Sequence, residues 1–267
     1  MKRFEDKVML ITGAARGIGK VVALKAAEEG AKLVLADINE ETGRETLEEI
    51  KQITPDVHFI FADLSIGANC EHIVNEAVKQ FGHIDILINN AGIGGTQAAV
   101  HTLEEKDLRK MLDVNLMVPY YFSHYVINEM LKQKTGGAIV NVSSLTALRG
   151  CQGTCAYVTS KAAVNGLTTS MALDYAKDNI RVNAVCPSIV DTDMYKQSVK
   201  MVEEKIKELQ ALNPDMASST SATRILQTKN NAIPPEEIAD VILYLASPQA
   251  ASVTGAFIPV DRGMSAF

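Results

Sequence analysis

A strand, a glycine-rich turn and a helix follow one another without a break near the start of the chain. The apolar run VMLI at 8–11 does not alternate with polar residues, which is typical of a strand buried on both faces of a parallel sheet. It leads into TGAARGIG at 12–19, and a helix then extends to about Glu29. Glycines allow a tight turn and a close approach of backbone, and a helix N-terminus offers unpaired N–H groups to a pyrophosphate. This unit predicts a dinucleotide site whose contacts are Gly13, Arg16, Gly17, Ile18 and Gly19.

The next strand, at 32–36, ends at an acidic residue that indicates which dinucleotide binds. Asp37 lies about 20 residues past the glycine turn, where a carboxylate accepts hydrogen bonds from ribose hydroxyls and repels a 2′-phosphate. This favours NAD(H) over NADP(H). Arg16 is a cation able to neutralise a phosphate, but Ile38 supplies no second one. The alternative for Asp37 is the N-cap of the helix that begins with NEE at 39–41.

Strands and helices alternate along the rest of the chain. Strands are expected at 57–61, 84–88, 138–142, 180–186 and 257–260, and helices at 40–53, from near 67, and at 103–134, 157–177 and 235–246. This order predicts a single α/β domain over 1–267, with a Rossmann fold and a doubly wound parallel sheet of about seven strands with helices on both faces. Pro119 is expected to bend or divide the helix at 103–134. Residues 188–230 are expected to form a substrate lid.

Further candidates follow the third and fourth strands, because ligands of open α/β sheets bind at the carboxyl ends of strands. Asp63 and Leu64 are candidates for contact with the adenine, and capping the helix that begins near 67 is an equal alternative for Asp63. The fourth strand leads into NNAG at 89–92, where small residues admit a cofactor and asparagine amides can tie strands together. The cofactor candidates there are Asn90, Ala91 and Gly92.

A serine, a tyrosine and a lysine are the candidates for chemistry. Ser144 follows the fifth strand, and Tyr157 and Lys161 share one face of the next helix because they are four residues apart. A nearby cation lowers the pKa of a tyrosine from its usual value of about 10, so that it can exchange a proton near pH 7. The pair alone is a weak signal. Asn115 lies in the apolar stretch VNLMV at 114–118, where a buried amide needs polar partners, and by itself it indicates a structural hydrogen-bonder.

Taken in order, these motifs resemble the short-chain dehydrogenase/reductase family over essentially the whole chain. The matching elements are TGAARGIG at 12–19, NNAG at 89–92, Asn115, Ser144, and Tyr157 with Lys161. The resemblance implies that Tyr157 is the catalytic acid/base and that Ser144 binds the substrate oxygen. It also implies that Lys161 binds the nicotinamide ribose and lowers the pKa of the tyrosine, and that Asn115 orders a proton-relay water.

The resemblance continues after the sixth strand and at the tail, with two departures. PSIVDT at 187–192 implies cofactor contacts by Pro187, Val190 and Thr192, the last at the nicotinamide carboxamide. Ser188 stands where the family usually has glycine, and DRG at 261–263 stands where it often has Asp-Gly-Gly. The family is commonly tetrameric, which implies a homotetramer built on the helices around Asn115 and after Tyr157.

Composition excludes several other classes of protein. The net charge is −6 and no block of Lys and Arg exceeds two residues, which argues against a nucleic-acid partner. No apolar run approaches 18 residues and the first six residues are not a secretory segment, so we expect no membrane association and a cytoplasmic location. The cysteines lack the spacing of a zinc site, so we expect free thiols and no metal; they are Cys70, Cys151, Cys155 and Cys186.

The predicted activity is the NAD(H)-dependent interconversion of a secondary alcohol and a ketone, both small molecules. A first alternative is an NADP(H)-dependent 3-ketoacyl thioester reductase, which the Arg16-containing turn also resembles and against which Asp37 argues. A second is a catalytically silent dinucleotide-binding regulatory protein, although Tyr157 and Lys161 are both present. The substrate stays open among sugar alcohols, cyclic diols and steroid-like alcohols, with a pocket expected from 93–100, 145–156 and 192–230.

Overall fold

The computed structural model describes residues 2–95, 98–212 and 232–266, and these contain one seven-stranded sheet. All neighbouring strands are parallel, in the order β3-β2-β1-β4-β5-β6-β7. Because the winding reverses between β1 and β4, this is the doubly wound order that the sequence predicts, and all carboxyl ends share one edge. The strands are β1 (Val8–Thr12), β2 (Lys32–Asp37), β3 (Val57–Phe61), β4 (Ile86–Asn89), β5 (Gly137–Val142), β6 (Ile180–Pro187) and β7 (Phe257–Val260).

Helices cover both faces of the sheet. In the described part of the chain they are α1 (Gly17–Glu28), α2 (Glu40–Lys51), α3 (Gly67–Phe81), α4 (Glu105–Leu112), α5 (Val118–Gln133), α6 (Cys155–Asp174), α7 (Asp193–Leu212) and α8 (Pro235–Ala246). Apolar residues of α1, α2 and α8 form one core with the sheet, and those of α3, α5 and α6 form another. Met9 and Ile11 belong to the first core and Val8 and Leu10 to the second, which explains the unbroken apolar run in β1.

The helical stretch around Asn115 divides just before Pro119, where the sequence predicts a bend or a division. A π-helical turn at Asp113–Met117 separates α4 from α5, and Pro119 lies in the first turn of α5. The backbone is helical on both sides of Met117, so Pro119 has no N–H to donate to the preceding turn, and a break next to it is as predicted. The break coincides with the buried side chain of Asn115, as is common for π-helical turns at functional sites.

Other element boundaries differ from the predictions by a few residues at most. The second helix ends at Lys51 instead of 53, the fourth strand begins at Ile86 instead of 84, and α6 runs from Cys155 to Asp174 instead of 157 to 177. Helix α7 lies in the predicted lid, whereas the polar segment 213–223 and the second helical pattern fall outside the described residues. Among the described helices, none is long and apolar enough to cross a bilayer.

Candidate active site

The glycine turn between β1 and α1 leaves no room for side chains at two of its glycines. Gly13 has a φ of +65°, and a Cβ there would lie 2.8 Å from Ala91 Cα. A Cβ on Gly19 would lie only 2.2 Å from the Gly13 carbonyl oxygen, and Gly17 has a φ of +57°. No side chain in the described residues caps α1, whose N-cap residue is Arg16. Bare backbone leading into an uncapped helix N-terminus fits a pyrophosphate, so these residues fit a dinucleotide.

The asparagines after β4 tie neighbouring strands together. Asn90 Nδ2 donates to the carbonyl oxygens of Thr12 (3.0 Å) and Gly13 (2.8 Å), which fixes the glycine turn against the β4 loop. Asn89 Nδ2 donates to Asn141 Oδ1 (2.8 Å) on β5 and to Ser123 Oγ (3.1 Å) on α5. The structural role foreseen for both amides is confirmed. Contact of Asn90, Ala91 and Gly92 with a cofactor remains a prediction.

The carboxylate of Asp37 is buried and held by backbone N–H groups from two directions. Oδ2 accepts from Ala15 N and Oδ1 from Asn39 N, each at 2.9 Å. The alternative role of Asp37 as a helix cap is wrong, because Asn39 caps α2 by accepting from Thr42 N (3.1 Å). Asp37 therefore joins the end of β2 to the glycine turn with its carboxylate already oriented.

Asp63 shapes the loop that follows β3. Its Oδ1 accepts from Ser65 N (2.9 Å) and from Ser65 Oγ (2.7 Å). The residue preceding α3 is Ile66, so the alternative role of Asp63 as the cap of α3 is also wrong. Leu64 is buried in the core beneath α3, and Ile18 packs against the opposite core. Contact of these residues with a cofactor remains a prediction.

The three residues singled out for chemistry meet at the carboxyl edge of β5 and β6. Ser144 follows β5, and its hydroxyl lies near the phenol of Tyr157 on α6, whose pKa it lowers. Lys161 Nζ lies 5.9 Å from the centroid of the Tyr157 ring and donates to the Val142 carbonyl at 2.8 Å. Ser144 and Lys161 are buried, and Tyr157 is half-buried. The geometry can hold an oxygen between a hydroxyl and a phenol, close to a buried ammonium.

Asn115 is joined to this group through its fully buried amide. Oδ1 accepts from Ile93 N (2.8 Å), and Nδ2 donates to Ile93 O (3.0 Å), Ser160 Oγ (3.2 Å) and Met111 Sδ (2.9 Å). A Cβ on Gly92 would lie 3.2 Å from Asn115 Oδ1 and 3.4 Å from Lys161 Nζ. The structural role of Asn115 is confirmed. Its role in ordering a relay water remains a prediction.

The segment after β6 closes the site from the other side. Pro187 is the last residue of β6, and Val190 is buried and bridged to Ile233. Thr192 precedes α7, and its methyl group would lie 3.4 Å from a Cβ on Gly17. At Ser188 the backbone keeps a negative φ and its N–H donates to Val260 O (3.2 Å), so the missing family glycine is not needed there.

The comparisons with known proteins identify the family. The family model for short chain dehydrogenases matches residues 7–203. This chain belongs to the short-chain dehydrogenase family. It is 37% identical to the 3beta-hydroxysteroid dehydrogenase of Mediterraneibacter gnavus, over 100% of this chain and 98% of that protein. It is also 37% identical to a 3-oxoacyl-acyl-carrier-protein reductase of Thermotoga maritima, over 98% and 99% of the two chains.

A solved structure extends the likeness to the whole fold. The carveol dehydrogenase of Mycobacterium avium, crystallised in complex with NAD, superposes with a TM-score of 0.86. It is 27% identical and covers 98% of each chain. The described residues thus share the fold of this solved dehydrogenase from the glycine turn to the C-terminal strand.

Burial dominates the electrostatics of this dehydrogenase site. Burial raises the pKa of Tyr157, and the nearby Ser144 hydroxyl only partly opposes that rise. Burial also lowers the pKa of Lys161, to about 8, and the ammonium is directed at the Val142 carbonyl. Lowering of the tyrosine pKa by Lys161 remains a prediction.

The cysteines of the described residues are free, as expected. Burial raises the pKa of Cys70 to about 12 and that of Cys186 to about 11, whereas Cys151 is exposed. No group of three or more potential metal ligands occurs within the described ranges.

Three supporting residues were missed by the sequence reasoning. Thr12 Oγ1 accepts from Asn90 N and Ala91 N (3.0 Å each), and buried Thr46 donates to Ala15 O (2.9 Å) under the glycine turn. Ser160 Oγ accepts from Asn115 and donates to Tyr157 O (2.8 Å). A polar residue inside an otherwise apolar helix or strand face was the available signal for each.

Proposed function

We propose that this chain is an NAD(H)-dependent oxidoreductase that interconverts a secondary alcohol and a ketone. The observation that carries the proposal is the meeting of Ser144, Tyr157 and Lys161 at the sheet edge that also holds the glycine turn. When bound, a nicotinamide dinucleotide supplies a hydride acceptor or donor for the carbinol carbon. The residues of this chain then hold the oxygen and move its proton.

The proposed roles follow from the positions of these residues. Ser144 Oγ and the Tyr157 hydroxyl together bind the substrate oxygen and stabilise negative charge on it. Tyr157 accepts the proton of the alcohol in oxidation and returns it in reduction. Because burial raises the pKa of Tyr157, the protonated form needed for ketone reduction prevails at neutral pH. Lys161 holds the cofactor ribose, and Asn115 fixes the backbone near Ile93 and the relay water.

A tyrosine substitution tests these roles. Tyr157→Phe keeps the ring but removes the hydroxyl that exchanges the proton. We therefore expect kcat to fall by at least about a hundredfold, the lower limit for the contribution of general acid–base catalysis. NADH affinity should stay within about threefold of wild type, a change below about 1 kcal/mol. Stopped-flow turnover with fluorescence titration of NADH measures both. Near-wild-type turnover in this variant overturns the assignment of Tyr157.

Two features support NAD(H) as the cofactor. The Asp37 carboxylate is fixed at the end of β2, where it repels a 2′-phosphate, and Ile38 beside it is exposed and uncharged. Arg16 lies 3.8 Å from Asp193 on α7, and this acidic neighbour offsets its charge. The NAD complex of carveol dehydrogenase is consistent with this choice.

The competing function is the NADP(H)-dependent thioester reductase, which the similarity to the Thermotoga maritima reductase favours. Titration of NADH and NADPH into wild type, Asp37→Ala and Asp37→Asn separates the two. We expect wild type to prefer NADH and Asp37→Ala to lose that preference. Asp37→Asn is the matched control, because it removes the charge but keeps an acceptor for Ala15 N–H. A wild-type preference for NADPH makes the thioester reductase the better assignment.

We further propose a cyclic or steroid-like alcohol as the substrate class. Leu148 and Met194 are exposed large apolar residues in two of the segments expected to line the pocket. Met194 Cγ would lie 3.6 Å from a Cβ on Gly94, in the third segment. Both the hydroxysteroid and the carveol dehydrogenases are named for cyclic alcohols. A panel of cyclohexanol, carveol, hydroxysteroids, 2-butanol and xylitol tests the class, and highest kcat/KM on an acyclic member rejects it.

We also propose a homotetramer in the cytoplasm. Tyr120 on α5 and Leu173 on α6 are large apolar residues that are 44% and 81% exposed, and apolar surface of this kind is typical of subunit contacts. Sedimentation equilibrium measures the state. The silent regulatory protein becomes the better reading only if NADH binds tightly and no alcohol or ketone in the panel is turned over.

A further inference from the structure

The loop between Ser144 and α6 connects two parts of the candidate active site. It covers residues 145–154, from the end of the β5 path to the residue before α6. Thr154 forms a parallel bridge with Ala98, so the loop lies against the segment 93–100. Two of the three segments expected to line the substrate pocket therefore meet here.

Arg149 joins this loop to the tail of the chain. Its backbone N–H donates to Leu145 O (3.2 Å), which fixes the residue within its own loop. Its guanidinium donates through Nη1 to Met264 O (3.0 Å) and through Nη2 to Ser265 O. One charged fork thus binds two successive carbonyls more than 100 residues away, a geometry that only arginine supplies.

The tail at 261–266 is also held by contacts that do not involve Arg149. Buried Asp261 accepts from Gly263 N (2.9 Å) through Oδ1 and from Ser265 N (2.6 Å) through Oδ2. Burial by itself raises the pKa of Asp261, but the hydrogen bonds from Ser265 and Gly263 lower it overall. Arg262 has a φ of +53° and contacts Glu237 of α8 at 3.3 Å. The unusual DRG sequence at 261–263 therefore anchors the tail on α8.

The middle of the loop has little other support. Leu148 and Cys151 are exposed, and a Cβ on Gly150 would meet nothing within 4 Å. Gly153 has a φ of +74°, a conformation that side chains rarely adopt. Ser144 and Tyr157, in contrast, lie at the ends of regular elements. Loss of the Arg149 contact should therefore free the loop without moving the two residues that carry the chemistry.

We propose that Arg149 is a positioning residue that sets substrate affinity through its hold on Met264 and Ser265. The proposal rests on the oxidoreductase function proposed above. It requires that Arg149→Met, and truncation after Gly263, raise KM for the alcohol by about tenfold, the effect of one charged hydrogen bond. The same variants should keep kcat and the NADH dissociation constant within about threefold of wild type, because the change is in ground-state binding.

A double-mutant cycle tests the contact itself. Arg149→Met in the truncated chain should be no worse than the more impaired single variant, because both changes remove the same contact. Arg149→Lys should be intermediate, since one ammonium does not reproduce the fork. Truncation after Ala266 is the matched control, because it keeps both carbonyls, and it should behave as wild type.

Hydrogen exchange of the peptide 145–154 supplies a readout that does not depend on activity. It should become faster to the same extent in Arg149→Met and in the chain ending at Gly263. The proposal is overturned by an unchanged KM, by independent (multiplicative) effects of the two changes on KM in the cycle, or by unchanged hydrogen exchange. It is also overturned if kcat, NADH affinity and thermal midpoint all fall together, because that indicates a general folding role. If wild type turns over no alcohol or ketone, the proposed function fails; faster exchange then leaves a structural contact without its substrate role.

Discussion

Replacing Gly19 by alanine sets helix propensity against space in the glycine turn. Gly19 lies in the first turn of α1 with a negative φ, so intrinsic propensity alone favours alanine by about 1 kcal/mol. The new Cβ, however, would lie 2.2 Å from the Gly13 carbonyl oxygen and 2.5 Å from Asn90 Nδ2. The new Cβ would face the Gly13 backbone on one side. On the other side it would face the Asn90 amide, which donates two hydrogen bonds to backbone carbonyls. Neither neighbour can yield without losing contacts.

The magnitude follows from those contacts. Overpacking of a tight site costs about 1–3 kcal/mol, and weakening the two Asn90 hydrogen bonds costs about 1–2 kcal/mol more. After the gain in helix propensity, we expect the free energy of unfolding to fall by roughly 1–4 kcal/mol, which lowers the thermal midpoint by roughly 2–16 °C. Because the displaced backbone is the proposed pyrophosphate contact, the NADH dissociation constant should rise by at least about tenfold.

The assay is a thermal melt together with a fluorescence titration of NADH. Gly82→Ala is the matched control: Gly82 follows α3 with a φ of +84°, and a Cβ there would meet nothing within 4 Å. It should lose about 1 kcal/mol through backbone strain alone and bind NADH as wild type does. The reasoning is refuted if Gly19→Ala melts at or above the wild-type temperature, or if it binds NADH with unchanged affinity.

Three further predictions concern pH, thiols and assembly. Because burial raises the pKa of Tyr157 and only the deprotonated phenol accepts a proton, kcat/KM for alcohol oxidation should rise with pH from 7 to 10. The kcat/KM for ketone reduction should stay level until the phenol ionises. Profiles of kcat/KM against pH in both directions check this, and an alcohol oxidation that does not depend on pH contradicts it. Iodoacetamide on the native protein at pH 8 should modify exposed Cys151 and leave Cys70 and Cys186 intact, since burial raises the pKa of those two thiols to about 12 and about 11. Peptide mass spectrometry measures the order in which the thiols are labelled, and early labelling of Cys70 contradicts the prediction. Leu173→Glu should weaken the proposed subunit contact and leave the fold intact, because Leu173 is 81% exposed in the single chain. Sedimentation equilibrium tests this, and a variant tetramer as stable as that of wild type shows that Leu173 is not in a subunit contact.

Most of the fold could be predicted because the signals were local and repeated. The bounds of β3, α8 and β7 match the predictions, and the unbroken apolar strands indicated a parallel sheet covered on both faces. The doubly wound order then placed the candidate residues at one edge of the sheet. The spacing of four residues was enough to predict that Tyr157 and Lys161 lie on one face of α6, about one turn apart.

The features that escaped prediction depend on contacts between distant residues. The π-helical form of the break at Asp113–Met117 accompanies the hydrogen bonds of Asn115 with Ile93, which no local propensity reports. The burial that raises the pKa of Tyr157 comes from the packing of distant segments, which the sequence does not report. The hold of Arg149 on the tail joins residues more than 100 positions apart.

The π-helical turn at Asp113–Met117 also marks where the helical stretch around Asn115 accommodates a change of length. Each residue of an α-helix advances the side chains by about 100° around its axis. A π-helical turn closes with an i→i+5 hydrogen bond and so holds one residue more than an α-helical turn. Deleting one residue within this turn should therefore restore ordinary helical spacing and keep the phase of α5, whereas deleting Tyr120 would turn the buried side chains of Phe122 and Val126 away from the sheet. The turn thus lets the chain carry one extra residue beside Asn115 without disturbing how α5 packs on the sheet.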